Sequence, residues 1–328
     1  MIDYERIYRR VLLCLLLTIA PATAISAATP RYPAKPLRLV TGSAPGGGSD
    51  FVARTIAEKL AERLGQTVLV DNRPGAGGAM GADVVAKSNP DGYTLLVNTG
   101  SAIAVNPALQ LLPYDVKRDF APLLQLSRAP FVLALNPALA ARSVADVIQL
   151  AKANPAKYSY ASSGIGAMSH LAMELFKNMS GVNVVHVPYR GSAPAAVDLI
   201  AGQVQLAMNN IVPTLPHVKS GRLRAVGVSG PLRSPVLPDV PTVAESGLPG
   251  YEAVQWYGVL LPVKVPKPIA GLLHKEISAV LQMPMVRTRL TEEGGDIVGG
   301  SSAQFADYIA LETQKWARVV RVAGVKAE

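Results

Sequence analysis

The sequence predicts an α/β protein with largely parallel sheets, on one observation and two rules of sheet topology. One unit recurs along the chain: a short apolar strand, a loop rich in Gly, Ser or Pro, then a helical pattern. Strands that alternate with helices at this spacing form parallel βα units. The right-handed crossover then brings successive loops to one sheet edge, where ligands of such sheets collect.

The first unit is "LRLVTGSAPGGGSDFVARTIAEKL", with a strand over residues 37–40 and a helix over 51–64. The second is "TVLVDNRPGAGGAMGADVVAK", followed by a strand over 94–97. Further along come "YSYASSGIGAMSHLAMELFKNM" and "VNVVHVPYRGSAPAAVDLIAG". Near the C-terminus Ser301 and Gln304 form a capping-box pattern, and Phe305, Ile309 and Trp316 mark the apolar face of a long helix.

"SAPGGGSD", residues 43–50, resembles a phosphate-binding loop without its lysine. A helix entrance does not need one. Its first-turn N–H groups lack internal partners, and the aligned peptide dipoles place partial positive charge there. Such an end binds an anion, and several around one cleft suit a small carboxylate held reversibly. Ser49 or Asp50 is the expected cap of this helix. Taken singly, each glycine loop is equally readable as a tight turn.

The N-terminus has Arg6, Arg9 and Arg10, an apolar run too short to span a bilayer comfortably, and small residues suited to cleavage near Ala27. It reads as an export signal over residues 1–27. Its removal takes away the only cysteine, Cys14, so catalytic cysteine, disulfide and cysteine-metal chemistry drop out. About 300 residues remain, enough for two domains. The net charge of +9 falls by one, because three Arg leave with Asp3 and Glu5. The basic residues are scattered and aromatics are few, which argues against nucleic acid.

Catalytic constellations are thin. There are four histidines, no Gly-x-Ser-x-Gly elbow and no Ser-x-x-Lys, so no catalytic residue is assigned. His170 and Glu174, at i and i+4, lack a third ligand at a recognisable spacing, so no metal site is assigned. His186 either faces the cleft or closes a polar core contact. In "GAGGAMG", residues 75–81, the third fingerprint glycine falls one position late and the next strand ends in Asn98, so no dinucleotide or other cofactor is expected.

Taken together, "YPAKPLRLV…PGGGSDFVAR", "VLVDNRPGAGGAMGADVVAKSNPDGYTLL", "LPYDVKRDFAPL", "YASSGIGAMSHLAMELF", "VVHVPYRGSAPA" and "LPDVPTVAESGLPGYE" resemble the tripartite tricarboxylate transporter substrate-binding proteins, or Bug receptors. The resemblance runs from about Tyr32 to the C-terminal helix. It implies a monomeric periplasmic receptor of the type II two-lobed fold, with mixed, mostly parallel sheets and a cleft between the lobes. Lobe one would comprise residues 28–128 plus 256–328 and lobe two residues 129–255. The chain would cross near 127–131 and return near 253–261, with Trp256 either reporting closure or filling the hinge core, and the C-terminal helix would pack on lobe one. The implied ligand is a small carboxylate: a di- or tricarboxylate, an acidic amino acid or an aromatic acid. The implied partners are membrane permease subunits or a sensor kinase.

Carried across by position, the resemblance implies ligand contacts from Ser43, Pro45, Gly46 and Gly47, from Thr99 and Ser101, from Ser162, Ser163, Gly166, Ser169 and His170, and from Tyr189 and Asn209. Two positions depart from the common pattern. Ser43 stands where many members have an aromatic residue, and Asn209 where many have Asp. The second departure removes a negative charge and favours a carboxylate without an α-amino group. Two other readings differ in kind: a ligand sensor with no transporter of its own, and an exported hydrolase or lyase.

Overall fold

A single 16-residue strand, β4 (Phe120–Leu135), belongs to two sheets. The computed structural model describes residues 32–292 and 294–326, and from Lys35 onward the chain forms one compact unit. The export signal read at residues 1–27 lies outside the described residues. Among those described, no helix is long and apolar enough to cross a membrane.

The first sheet holds β1 (Leu37–Thr41), β2 (Val68–Asn72), β3 (Thr94–Thr99), β9 (Val254–Pro262), β10 (Asp296–Gly299) and the first part of β4. The second holds β5 (Ser159–Ser162), β6 (Val185–Pro188), β7 (Leu206–Asn210), β8 (Arg224–Val228) and the last part of β4. Pro130 pairs with Val254 of β9 in the first sheet, and its neighbour Phe131 pairs with Asn210 of β7 in the second. The βα units give the parallel pairs β1–β2, β1–β3, β5–β6 and β5–β7. Every partner of β4 is antiparallel, as is the β3–β9 pair, which makes both sheets mixed. The two prolines of β4 lie beside a register shift and at the change of sheet, where a missing N–H is tolerated.

The helices are α1 (Gly48–Leu64), α2 (Ala79–Ala86), α3 (Asn106–Leu109), α4 (Val116–Asp119), α5 (Val144–Ala153), α6 (Met168–Ser180), α7 (Ser192–Ala201), α8 (Ile211–Lys219), α9 (Lys267–Leu281), α10 (Pro284–Glu292) and α11 (Ser302–Ala323). Of the four repeated loops, those after β1, β5 and β6 lead into α1, α6 and α7, and the one after β2 reaches α2 through a 3-10 turn, Ala76–Gly78. The buried face of α1 carries Val52, Ala53, Ile56 and Leu60. Fully burying a valine, isoleucine or leucine side chain contributes about 1.5–3 kcal/mol.

The C-terminal helix α11 starts at the predicted capping box, with both Ser301 and Gln304 bonds present. It buries Phe305, Ile309, Trp316, Val319 and Val320. Buried Glu312 accepts hydrogen bonds from Trp256 Nε1 at 3.2 Å and Trp316 Nε1 at 2.8 Å, and it pairs with Lys315. Trp256 is fully buried, edge-on to Phe305 with centroids 5.6 Å apart, so it fills the core. Gly258 leaves room for that ring: a Cβ there would lie 2.2 Å from Phe305 Cζ. Besides β4 and α3, α11 packs on α6, so it is not confined to the elements of the first sheet.

Candidate functional site

The glycines of residues 75–81 act as a packing device. A Cβ on Gly42 would meet Gly78 Cα at 2.5 Å, and one on Gly81 would lie 3.0 Å from the Gly42 backbone. The loops after β1 and β2 therefore touch main chain to main chain. Asn98 Nδ2 donates to Gly78 O, and Asn106 Nδ2 to Ala76 O and Gly77 O, which holds the second loop in place.

At the first helix entrance Gly47 is the N-cap, with no side-chain cap of its own. Ser49 and Asp50, the expected caps, lie inside the first turn, and the capping oxygen comes from further back: Ser43 Oγ accepts from Asp50 N at 3.1 Å and shares a hydrogen bond with Ser49 Oγ at 2.7 Å. Asp50 folds back so that its carboxylate accepts from Gly46 N at 2.8 Å, Arg54 Nε at 2.9 Å and Asn72 Nδ2 at 2.9 Å. Gly46 meets this geometry with φ +81°, which suits glycine. Burial pushes the Asp50 carboxyl up, but the hydrogen bonds from Arg54, Gly46 and Asn72 outweigh it and hold the group below its ordinary value. Phe51 N donates to Gly47 O, whereas the amides of Gly48 and Ser49 have no acceptor among the described residues.

The loop between β5 and α6 repeats this arrangement. Ser163 Oγ and Ser169 Oγ are 2.8 Å apart, Gly166 has φ +72°, and Gly166 N donates to His170 Nδ1 at 3.1 Å. Ser162 Oγ bonds His186 Nε2 at 2.6 Å. The rings of His170 and His186 stack at 3.9 Å, and Tyr160 lies 4.9 Å from His186 and 6.4 Å from His170, so His186 closes a polar core contact. Glu174 accepts from Tyr160 OH at 2.6 Å and Lys177 Nζ at 2.7 Å, and lies 3.9 Å from His170 Nε2. Burial, with the charges of His186 and Lys177, pushes His170 down to about 3. Burial pushes His186 down to about 4 despite Glu174. Among the described residues no group of three His, Cys, Asp or Glu side chains is placed to hold a metal.

The entrances of α7 and α8 are tied together. Asn209 is buried and donates to Ser192 O at 3.1 Å, while Asn210 Nδ2 donates to Ser192 Oγ at 2.8 Å. Tyr189 OH donates to Asp198 at 2.7 Å, and burial with that carboxylate pushes Tyr189 up to about 12.

A cleft of about 600 Å³ opens between the α1 entrance (Gly46, Gly47, Gly48) and those of α7 (Ser192) and α8 (Asn210, Ile211). Its floor is the paired β4 and β9 at Ser127, Ala129, Gln255 and Tyr257, and Arg289 of α10 stands on one wall. The volume is in the range of small-ligand sites. A second groove, of about 780 Å³, lies between α11 and residues 103–122 and shares no residue with it.

Of the predicted contact residues, Gly46 and Gly47 line this cleft. Ser43 and Pro45 belong to the same loop, with Ser43 turned to the helix cap. Thr99 accepts from Ala102 N at 3.3 Å, and Ser101 opens a π-helical turn, Ser101–Val105. Ser162, Ser163, Gly166, Ser169 and His170 form the second entrance, which meets the other sheet's elements where Gly166 approaches Leu109. Tyr189 and Asn209 are occupied as described, and the polar groups reaching the cleft there are Ser192 and Asn210. The sequence alone did not point to Ser192, Asn210, Tyr257 or Arg289. The first two adjoin a predicted helix entrance, but Tyr257 and Arg289 arrive by long-range topology.

The family model described as the tripartite tricarboxylate transporter family receptor matches residues 52–325. The chain is 39% identical over 311 residues to BugT of Bordetella pertussis, covering 94% of this chain and 95% of that one. Among solved structures, it is similar to R. palustris Rpa4515 with adipate, with 36% identity, TM-score 0.79 and coverage of 90% and 99% of the two chains. It is also similar to MatC from Rhodopseudomonas palustris with bound malate, with 31% identity, TM-score 0.75 and coverage of 88% and 100%. With helix entrances from both sheets facing one cleft over a shared strand, and with matches spanning nearly the whole of each relative, the chain belongs to the tripartite tricarboxylate transporter receptor family, and its fold is that family's two-lobed solute-binding fold.

Proposed function

We propose that this receptor captures a small carboxylate, with an aliphatic dicarboxylate the best-supported class, and presents it to membrane permease subunits. The observation that carries the reading is the cleft itself: the entrances of α1, α7 and α8 converge on about 600 Å³ of space. Amides and helix dipoles there favour negative charge. The adipate and malate bound by two similar proteins support the dicarboxylate class.

In this reading lobe one is residues 28–128 plus 256–328, lobe two is 129–255, and β4 is the crossing. Gly46 and Gly47 face the ligand from lobe one and Ser192 and Asn210 from lobe two, with the Ser163–Ser169 entrance joining them on closure. A ligand that satisfies groups on both sides binds the closed form better, so its differential affinity drives closure. Capture takes place in the periplasm, after removal of residues 1–27, and needs no chemical step.

Thermal unfolding of the mature, ligand-stripped protein against adipate, malate, citrate, aromatic acids and acidic amino acids tests this. A ligand at a hundred times its Kd adds about 2.7 kcal/mol of stability. Stabilisation by aliphatic dicarboxylates, with none by glutamate or aspartate, is the expected result. Absence of any shift across the panel would overturn the reading.

A further inference from the structure

The cleft's charge balance singles out one residue. Its lining contains Asp50, Arg54 and Arg289. Asp50 is already paired with Arg54 and further held by Asn72 and Gly46. Among the described side chains, no carboxylate lies within ion-pair distance of Arg289.

Its surroundings make the charge more notable. Helix α10 packs on α1, and the Arg289 guanidinium lies 5.5 Å from the centre of the Phe51 ring, in the first turn of α1. A cation–π contact of this kind steadies the side chain. The same turn presents the unpartnered Gly48 amide and the positive end of a 17-residue helix. A cation beside a helix N-terminus is unfavourable in an empty cleft. A dianion with one carboxylate at the helix end and the other at the guanidinium removes the conflict.

We propose that Arg289 is a specificity-determining residue, whose guanidinium takes the second carboxylate of a dianionic ligand when the first sits at the Gly46–Gly48 entrance. This rests on the carboxylate reading above. The planar fork of arginine matches a carboxylate bidentately, which lysine does not reproduce. The loop that lacks a lysine would thus obtain its cation from the far end of the chain.

The test measures Kd by calorimetry for adipate and for monomethyl adipate, which keeps the length and removes one charge. The proteins are the wild type, Arg289→Gln, Arg289→Lys and the control Arg287→Gln, which removes a charge from the same helix at a residue outside the cleft lining. The wild type should prefer adipate. Arg289→Gln should weaken adipate binding at least tenfold and the monoester less than twofold, Arg289→Lys should fall between, and Arg287→Gln should change neither. Equal effects of Arg289→Gln on both acids, or none on either, with the wild type still binding, would overturn the role of Arg289 and leave the receptor reading intact. If the wild type bound neither acid nor any other carboxylate, both would fall together.

Discussion

Asp50 and His170 hold equivalent places in the loops after β1 and β5: each accepts the amide of a left-handed glycine four residues earlier, Gly46 at 2.8 Å and Gly166 at 3.1 Å. In both loops two serines six residues apart share a hydrogen bond, Ser43 with Ser49 and Ser163 with Ser169. The pattern Ser-x-x-Gly-x-x-Ser followed by an acceptor is thus one device used twice. It shapes a helix entrance while leaving amides of the first turn open.

Asp50→Ala and His170→Ala should have parallel effects. Each leaves a glycine amide without its acceptor and loosens the entrance, at a cost of about 1–3 kcal/mol for buried Gly166 and less for exposed Gly46. Urea unfolding should show the loss of stability and calorimetry a weaker affinity, without abolishing folding. Unchanged affinity in both variants would separate these loops from ligand binding.

Stability should fall with acid from near neutrality. His170 and His186 are held neutral in the fold, at about 3 and about 4, against an ordinary 6.5. Below about pH 6.5 the unfolded chain takes up protons that the folded chain does not, and stability declines until the folded values are reached. Each histidine contributes a slope of up to about 1.4 kcal/mol per pH unit. Asp50 acts later in the same direction: its depressed value gives stability present above the ordinary carboxyl range and lost as pH falls through the folded value. Denaturation at pH 7, 6 and 5 should show the decline, and His186→Asn should make it shallower.

Glu312→Ala should destabilise by about 3 kcal/mol, because two buried indole N–H groups lose one shared acceptor. Glu312→Gln, which keeps an oxygen in place, should cost less. Chemical denaturation of the two variants gives the comparison.

Gly258→Ala should cost about 1–3 kcal/mol through overpacking, since the new methyl meets the buried Phe305 ring. A midpoint equal to that of the wild type would mean that the ring moves aside freely.

Tryptophan fluorescence should report ligand binding weakly. The chain's two tryptophans, Trp256 and Trp316, are both fully buried and joined through Glu312. Neither lines the cleft. Titration with an acid whose binding calorimetry has established should change the emission little.

Much of this architecture is written locally. The repeated strand, glycine loop and helix have the right periodicity to be read directly, and the capping box at Ser301 announces α11. What escapes a local reading depends on distance along the chain. Ser49 and Asp50 were expected to cap α1 because they sit at its start, yet the cap comes from Ser43, because left-handed Gly46 turns the loop back on itself. Tyr257 and Arg289 reach the cleft only because β9 pairs with β4 and α10 lies on α1. Nothing in their immediate neighbours signals a role. Asn209 illustrates the limit of alternation: its side chain is turned inward to Ser192, and the next residue, Asn210, faces the open space.

The strand shared by both sheets makes the joint a torsion bar. A joint of slack loops would swivel at little cost, but β4 is hydrogen-bonded along its length to β9 on one side of Pro130 and to β7 and β8 on the other. A change in the angle between the sheets twists this strand where it passes from one sheet to the other, at Pro130 and Phe131. Such a joint has a rest angle, and its restoring torque grows with displacement. If the lobes close on a ligand as proposed, part of that work would be stored in the strand as twist and would assist reopening.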